Sequence, residues 1–129
     1  MVSLKDSKAK KKWRQAPVEL IRIFEKALKS LPEAERRKMF GYPCSFVNGQ
    51  MFTGLHQENL ILRLPEDERR EFLKIKEAKP FEPMPGRVMR EYVVVPQSIL
   101  NSETQLRIWL EKAFAFAKSL PPKPSKRKT

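Results

Sequence analysis

The sequence predicts an α+β domain: an antiparallel sheet, a meander plus a later strand, with helices packed on it in two layers. Three observations lead there. Asn48-Gly49 stands between alternating residues, and this dipeptide suits a type I′ hairpin because both positions need positive φ. Val18, Ile21, Phe24, Leu28 and Leu31 recur at helical spacing, as does a second apolar set from Leu106 to Leu120. Between these helices EYVVVP, Glu91 to Pro96, reads as a central strand closed by proline.

The elements follow in order. Pro17 fits a first helical turn, where a missing N–H costs nothing. Leu20, Ile23 and Ala27 widen the apolar stripe, and Pro32 marks the helix end. A turn at Asn48-Gly49 sets Val47 against Gln50, Phe46 against Met51, Ser45 against Phe52 and Cys44 against Thr53. A second hairpin around Gln57-Glu58 sets Leu55 against Leu60, with Leu62 opposite Thr53 and Leu64 opposite Met51. Cys44, Phe46, Met51, Leu55, Leu60, Leu62 and Leu64 then share one buried face, and Phe52, Gly54 and His56 take the other. Pro65 opens a short helix with Glu66, Asp67 and Glu68 in its first turn, where the helix dipole favours acids. Its buried side is Phe72, Leu73 and Ile75. Pro80, Pro83, Pro85 and Gly86 argue for irregular backbone from Lys79 to Gly86, packed down by Phe81, Met84, Val88 and Met89. Ser102 and Gln105 fit a capping box for the last helix. Its stripe is Leu106, Trp109, Leu110, Ala113, Phe116, Ala117 and Leu120, with Phe114 off centre as a rim contact or a homodimer surface. Pro121-Pro122 stop it.

Composition bounds the function. At 129 residues and 40% hydrophobic content the chain suits one packed domain. A single Cys excludes an internal disulfide and fits a reducing compartment. The N-terminus lacks the apolar core of a secretory signal, and no run reaches the ~18 apolar residues of a membrane span. A soluble cytoplasmic protein is the expectation. The net charge is +12, of which residues 1–14 carry +5 and residues 121–129 carry +4. The division predicted is a basic disordered arm over 1–16, a folded domain over 17–120 and a basic disordered tail over 121–129. Lys10, Lys11, Lys12, Arg14, Lys126, Arg127 and Lys128 can bind phosphate backbones without reading sequence, or serve only solubility.

The one Cys and one His, Cys44 and His56, raise the question of a thiolate and its base. The register above separates them onto opposite faces, and only a bulge would bring them together. Cys44 then reads as a small core residue and His56 as an exposed turn residue. One of each is too few for a structural zinc site. No catalytic, cofactor-binding or metal residue is assigned, and no cofactor is expected. An enzyme or anion binder would have to use Arg63, Glu82, Arg87, Arg90 and Tyr92, since Arg pairs bidentately with carboxylate or phosphate; the alternative is ordinary surface ion pairing. The segment Phe81 to Arg90 mixes Glu82, Arg87 and Arg90 with Phe81, Met84 and Met89, which suits a protein partner.

Several stretches together resemble one family. They are Met39-Phe40-Gly41, Met51-Phe52-Thr53-Gly54-Leu55, Leu60-Ile61-Leu62-Arg63, Lys79-Pro80-Phe81, Tyr92 to Pro96, and Leu106, Trp109 and Ala113. The chain from about Val18 to Leu120 resembles the N-terminal domain of the bacterial TfoX/Sxy competence regulators. The resemblance implies a two-layer fold akin to secretion chaperones, no catalytic residues, and a link to transcriptional control of DNA uptake. Two departures stand out. Tyr42-Pro43 follows where relatives often place another glycine, and the helical second domain of such regulators does not follow Leu120. A stand-alone first domain acting as a non-enzymatic regulatory or interaction module is the expectation.

Overall fold

The computed structural model describes residues 16–122. Helix α1 (Val18–Leu28) precedes four strands: β1 (Glu35–Met39), β2 (Tyr42–Val47), β3 (Gln50–His56) and β4 (Asn59–Arg63). Then come α2 (Glu66–Phe72), β5 (Lys79–Met84), β6 (Arg87–Val94), α3 (Gln97–Leu100) and α4 (Glu103–Ser119). All strand pairs are antiparallel, in the order β1-β2-β3-β4-β6-β5, so the sheet is open and the fold is α+β.

The four helices among the described residues all bury side chains in one cluster on one sheet face. Leu20, Phe24 and Leu28 of α1, Phe72 of α2, Ile99 of α3, and Leu106, Leu110, Ala113 and Ala117 of α4 meet Val47, Phe52, Leu55, Leu60, Leu62, Leu64 and Val93 there. The fully buried Ala113 and Ala117 keep that side of α4 small, so its backbone can approach the sheet closely. Ser102 caps the helix by accepting the Gln105 N–H at 3.2 Å. Phe114 contributes more than a rim contact, because its ring packs edge-on against the buried Phe52, 5.2 Å between centroids.

Two strands were not legible in the sequence. Every residue of β1 is exposed, so Glu35–Met39 carries no apolar alternation to reveal it. The segment expected to be irregular, Lys79 to Gly86, contains β5 instead. Proline is tolerated there because β5 is an edge strand broken by register shifts around Phe81. Phe81 does pack down, but Met84, Val88 and Met89 are exposed rather than packed. At the domain's margins Ala16 is buried, and the Pro121 carbonyl accepts from Gln50 Nε2 at 2.8 Å, so both belong with the folded part.

The Asn48-Gly49 turn forms as expected, with φ of +53° and +78°. Val47 pairs with Gln50 and Phe46 with Met51. Beyond that the register shifts: Phe52 is skipped, Ser45 pairs with Thr53 and Cys44 with Gly54. The bulge lets Phe52 and Thr53 both face the helices, since Thr53 lies opposite the core residue Leu62. The two hydroxyls this brings inside are satisfied: Thr53 donates to the Ile61 carbonyl at 2.7 Å and Ser45 to the Glu35 carbonyl at 2.9 Å. Cys44 is thereby moved to the second face, away from Leu55, Leu60 and Leu62. Leu64, expected opposite Met51, lies past the end of β4 in the helix-side cluster, whereas Met51 packs on the other.

Ile61, Phe81, Tyr92 and Val94, with Met51, form that smaller cluster. Phe81 of β5 reaches His56 of β3 across the two intervening strands, ring centroids 5.2 Å apart, so the sheet curls around this face.

The shifted register has a steric consequence at Gly54. A Cβ there would sit 3.0 Å from Cys44 Cβ and 3.5 Å from the Pro43 carbonyl oxygen. Gly54→Ala should therefore lower the unfolding free energy by about 1–3 kcal/mol, read from urea or guanidinium denaturation. Because the clash is with Cβ rather than sulfur, adding Cys44→Ala should not restore stability. Full restoration by Cys44→Ala would place the conflict at the thiol instead.

Candidate functional site

Cys44 and His56 lie on the same face after all, because the Phe52 bulge reverses the β2 register. They still do not form a catalytic pair: among the described residues no hydrogen bond joins them. Cys44 is buried, and burial pushes its thiol pKa up against a smaller opposing pull from Arg37. A nucleophilic thiolate needs the opposite shift. His56 is half-buried rather than exposed, held between the rings of Tyr42 at 5.6 Å and Phe81 at 5.2 Å. Burial lowers its pKa, and the charge of Glu58 opposes that shift. The imidazole thus acts as a packing ring that ties β3 to the edge of the curled sheet.

Of the residues considered for an anion site, the structure joins Arg63 to Tyr92 and leaves the others elsewhere. Arg63 donates through Nε to Glu91 at 2.8 Å and through Nη1 to Gln50 at 3.0 Å. Its guanidinium also lies over the rings of Tyr92 and Phe116, at 5.8 and 5.7 Å. Tyr92 donates its hydroxyl to the Met51 carbonyl at 3.0 Å. These side chains are spent on closing one end of the sheet against α4. Glu82 is occupied locally: its carboxylate accepts the Gly86 N–H at 2.6 Å across the β5–β6 turn.

What remains available is the end of that β5–β6 hairpin. Pairing of β6 with β4 runs from Val94 to Tyr92, flanked by the Val95 N–H donated to the Leu60 carbonyl and the Leu64 N–H donated to the Glu91 carbonyl. Beyond Glu91 the strand leaves β4: Arg87 and Met89 pair with Met84 and Phe81 of β5, and among the described residues no strand lies on the outer side of β5. The hairpin overhangs the sheet as a two-stranded ribbon, closed by Pro85 and by Gly86 at φ +81°. Met84 is 53% exposed, Val88 54% and Met89 39%. Arg87 and Arg90 are exposed and have no hydrogen bond or ion pair among the described residues. Most other arginines are engaged: Arg22, Arg36, Arg37, Arg63 and Arg70 with carboxylates, and Arg69 with the Leu64 carbonyl. The sequence marked Glu82, Met84, Arg87, Met89 and Arg90 as a contact surface, and these lie on the ribbon. Phe81, marked with them, is buried at its base. Val88 was missed, because its exposure depends on where β4 stops.

An exposed aromatic sits at the opposite edge. Phe40 and Gly41 form the β1–β2 turn with φ of +55° and +84°, and Phe40 is 83% exposed. A groove of about 390 Å³ between α1 and α4 is crossed by the Lys26–Glu103 ion pair and holds no buried polar group. Among the described residues no group of three or more His, Cys, Asp or Glu could hold a metal ion, and no helix is long and apolar enough to cross a membrane. The basic residues Lys10, Lys11, Lys12, Arg14, Lys126, Arg127 and Lys128 lie outside the described residues.

Two measurements check the assignments of Cys44 and His56. A thiol reagent should modify Cys44 slowly in the native protein and rapidly after unfolding. For His56, a folded pKa below the unfolded value of about 6.5 means the unfolded chain binds more protons near that pH. Its contribution to stability is complete above pH 6.5 and is lost as pH falls through the lower folded value. Between pH 7.5 and 5.5 the melting temperature should fall, and His56→Phe, which keeps a ring between Tyr42 and Phe81, should flatten that fall.

The comparison with known proteins agrees with the architecture. A search of curated proteins finds no match. The family model for the TfoX N-terminal domain matches residues 26–117, which takes in every element from the end of α1 to the last turn of α4. The chain belongs to the TfoX N-terminal domain family.

Proposed function

We propose that the domain is a non-enzymatic regulatory module that works by binding a macromolecule through the β5–β6 ribbon. The family supports a regulatory role, and the resemblance to competence regulators points to control of transcription and DNA uptake in the bacterial cytoplasm. The observation that carries the binding surface is the overhang itself. Met84, Val88 and Met89 stay exposed beside Arg87 and Arg90, which have no ion pair among the described residues, on backbone that the core does not cover. Methionine and arginine are enriched where proteins contact partners. The ring-packed imidazole of His56 and the raised thiol pKa of Cys44 weigh against catalysis.

The test is capture from the native cytoplasm, with and without nuclease treatment, using the full chain as bait. Arg87→Glu with Arg90→Glu should leave the melting temperature nearly unchanged, because exposed charges alter stability within about ±0.5 kcal/mol. The same pair should abolish capture of whatever the wild-type chain retains. Capture that survives the double substitution would move the contact surface elsewhere, with Phe40 the next place to look.

A further inference from the structure

We infer that the macromolecule bound by the β5–β6 ribbon is duplex DNA, with the ribbon seated in a groove. This rests on the reading of the ribbon as the contact surface and names its partner. Three features of the ribbon favour DNA over a protein surface.

The first is shape. A two-stranded antiparallel ribbon is one of the two elements that the major groove of B-form DNA admits, the other being a helix. An isolated hairpin is marginally stable in water, yet this one is held at its base, where Phe81 packs on His56 and Tyr92 is buried.

The second is that both faces are apolar at the tip. Met84 pairs with Arg87, and Phe81 with Met89, so these side chains share a face, while Val88 between Arg87 and Met89 takes the other. In the major groove one face of such a ribbon meets the base edges, where apolar side chains contact thymine methyl groups, and the groove walls flank its tip.

The third is charge. From Lys79 to Arg90 the ribbon carries Lys79, Arg87 and Arg90 against Glu82. The Glu82 carboxylate is drawn onto the Gly86 N–H, whereas the two arginines have no partner among the described residues. The whole chain carries +12, which raises the local concentration of a polyanion around it.

The experiment uses the full chain and a fluorescent random-sequence DNA duplex, with affinity measured across a salt series. Arg87→Glu with Arg90→Glu should weaken binding at least tenfold. It should also lower the slope of log K against log salt by roughly two, since each lost phosphate contact removes about 0.9. The control is Lys29→Glu with Arg107→Glu, two exposed cations of the helical layer whose reversal changes net charge equally; it should cost less than threefold. Met84→Ala with Val88→Ala should weaken binding while leaving the slope unchanged, because it removes apolar contacts and no phosphate contact. An A-form RNA duplex of the same sequence, whose major groove is too narrow for the ribbon, should bind more weakly and be insensitive to the arginine pair.

Equal losses from the ribbon and control pairs would overturn the proposal and assign binding to overall charge. So would wild-type affinity in the ribbon variant, or failure of the wild-type chain to bind DNA. If DNA binding fails while the arginine pair still abolishes capture from nuclease-treated lysate, the ribbon remains the contact surface and its partner is a protein. If both fail, the ribbon reading falls as well.

Discussion

One extra residue in β3 determines how the rest of the sheet is used. Between Met51 and Thr53 the chain inserts Phe52 without a partner on β2. The bulge delivers two consecutive side chains to the helical layer, where Phe52 reaches Phe114 and Thr53 reaches the Ile61 carbonyl. Full burial of a phenylalanine contributes about 1.5–3 kcal/mol, so the irregularity is compensated where it occurs. The same shift sends Cys44 to the second face, opposite Gly54, where an added Cβ would stand only 3.0 Å from Cys44 Cβ. The sheet's two-sidedness, with a large helix-covered cluster and a small curled one, follows from this register.

The parts of the fold that were legible in the sequence are those where local chemistry and burial agree. Asn48-Gly49 fixed a turn because both its φ angles are positive. Leu55 and Leu60 found each other because the Gln57-Glu58 turn leaves only one pairing that keeps Leu60 and Leu62 inside. The Ser102 cap and the Ala113 and Ala117 line of α4 were equally direct. A bulge has no such signature. Nothing in Met51-Phe52-Thr53-Gly54-Leu55 marks the break, and a reading that alternates side chains strictly along a strand carries past the point where the backbone departs from it.

The edges were illegible for a different reason. Strand β1 reads Glu-Arg-Arg-Lys-Met, all exposed, and charge on an edge is a device against unwanted pairing rather than a mark of a strand. Strand β5 hides behind Pro80 and Pro83, which an edge tolerates and a central strand does not. Exposure of Met84, Val88 and Met89 then depends on where β4 ends and on the register shifts around Phe81, both set by contacts far along the chain. The residue types of the candidate site could be read from the sequence. Their availability could not.

The ribbon is also the part of the molecule that the core can spare. Its inner end is tied in by Phe81 against His56 and by Tyr92, whose hydroxyl holds the Met51 carbonyl. Past these anchors, register shifts detach the pairing of β5 and β6 from the ladder that continues through β4. Substitutions at Arg87, Val88 or Arg90 thus touch no buried contact, while those at Phe81, His56 or Tyr92 loosen the second cluster. Binding and folding therefore reside on separable residues of one hairpin, divided where Phe81 leaves the protein interior and Met84 enters solvent.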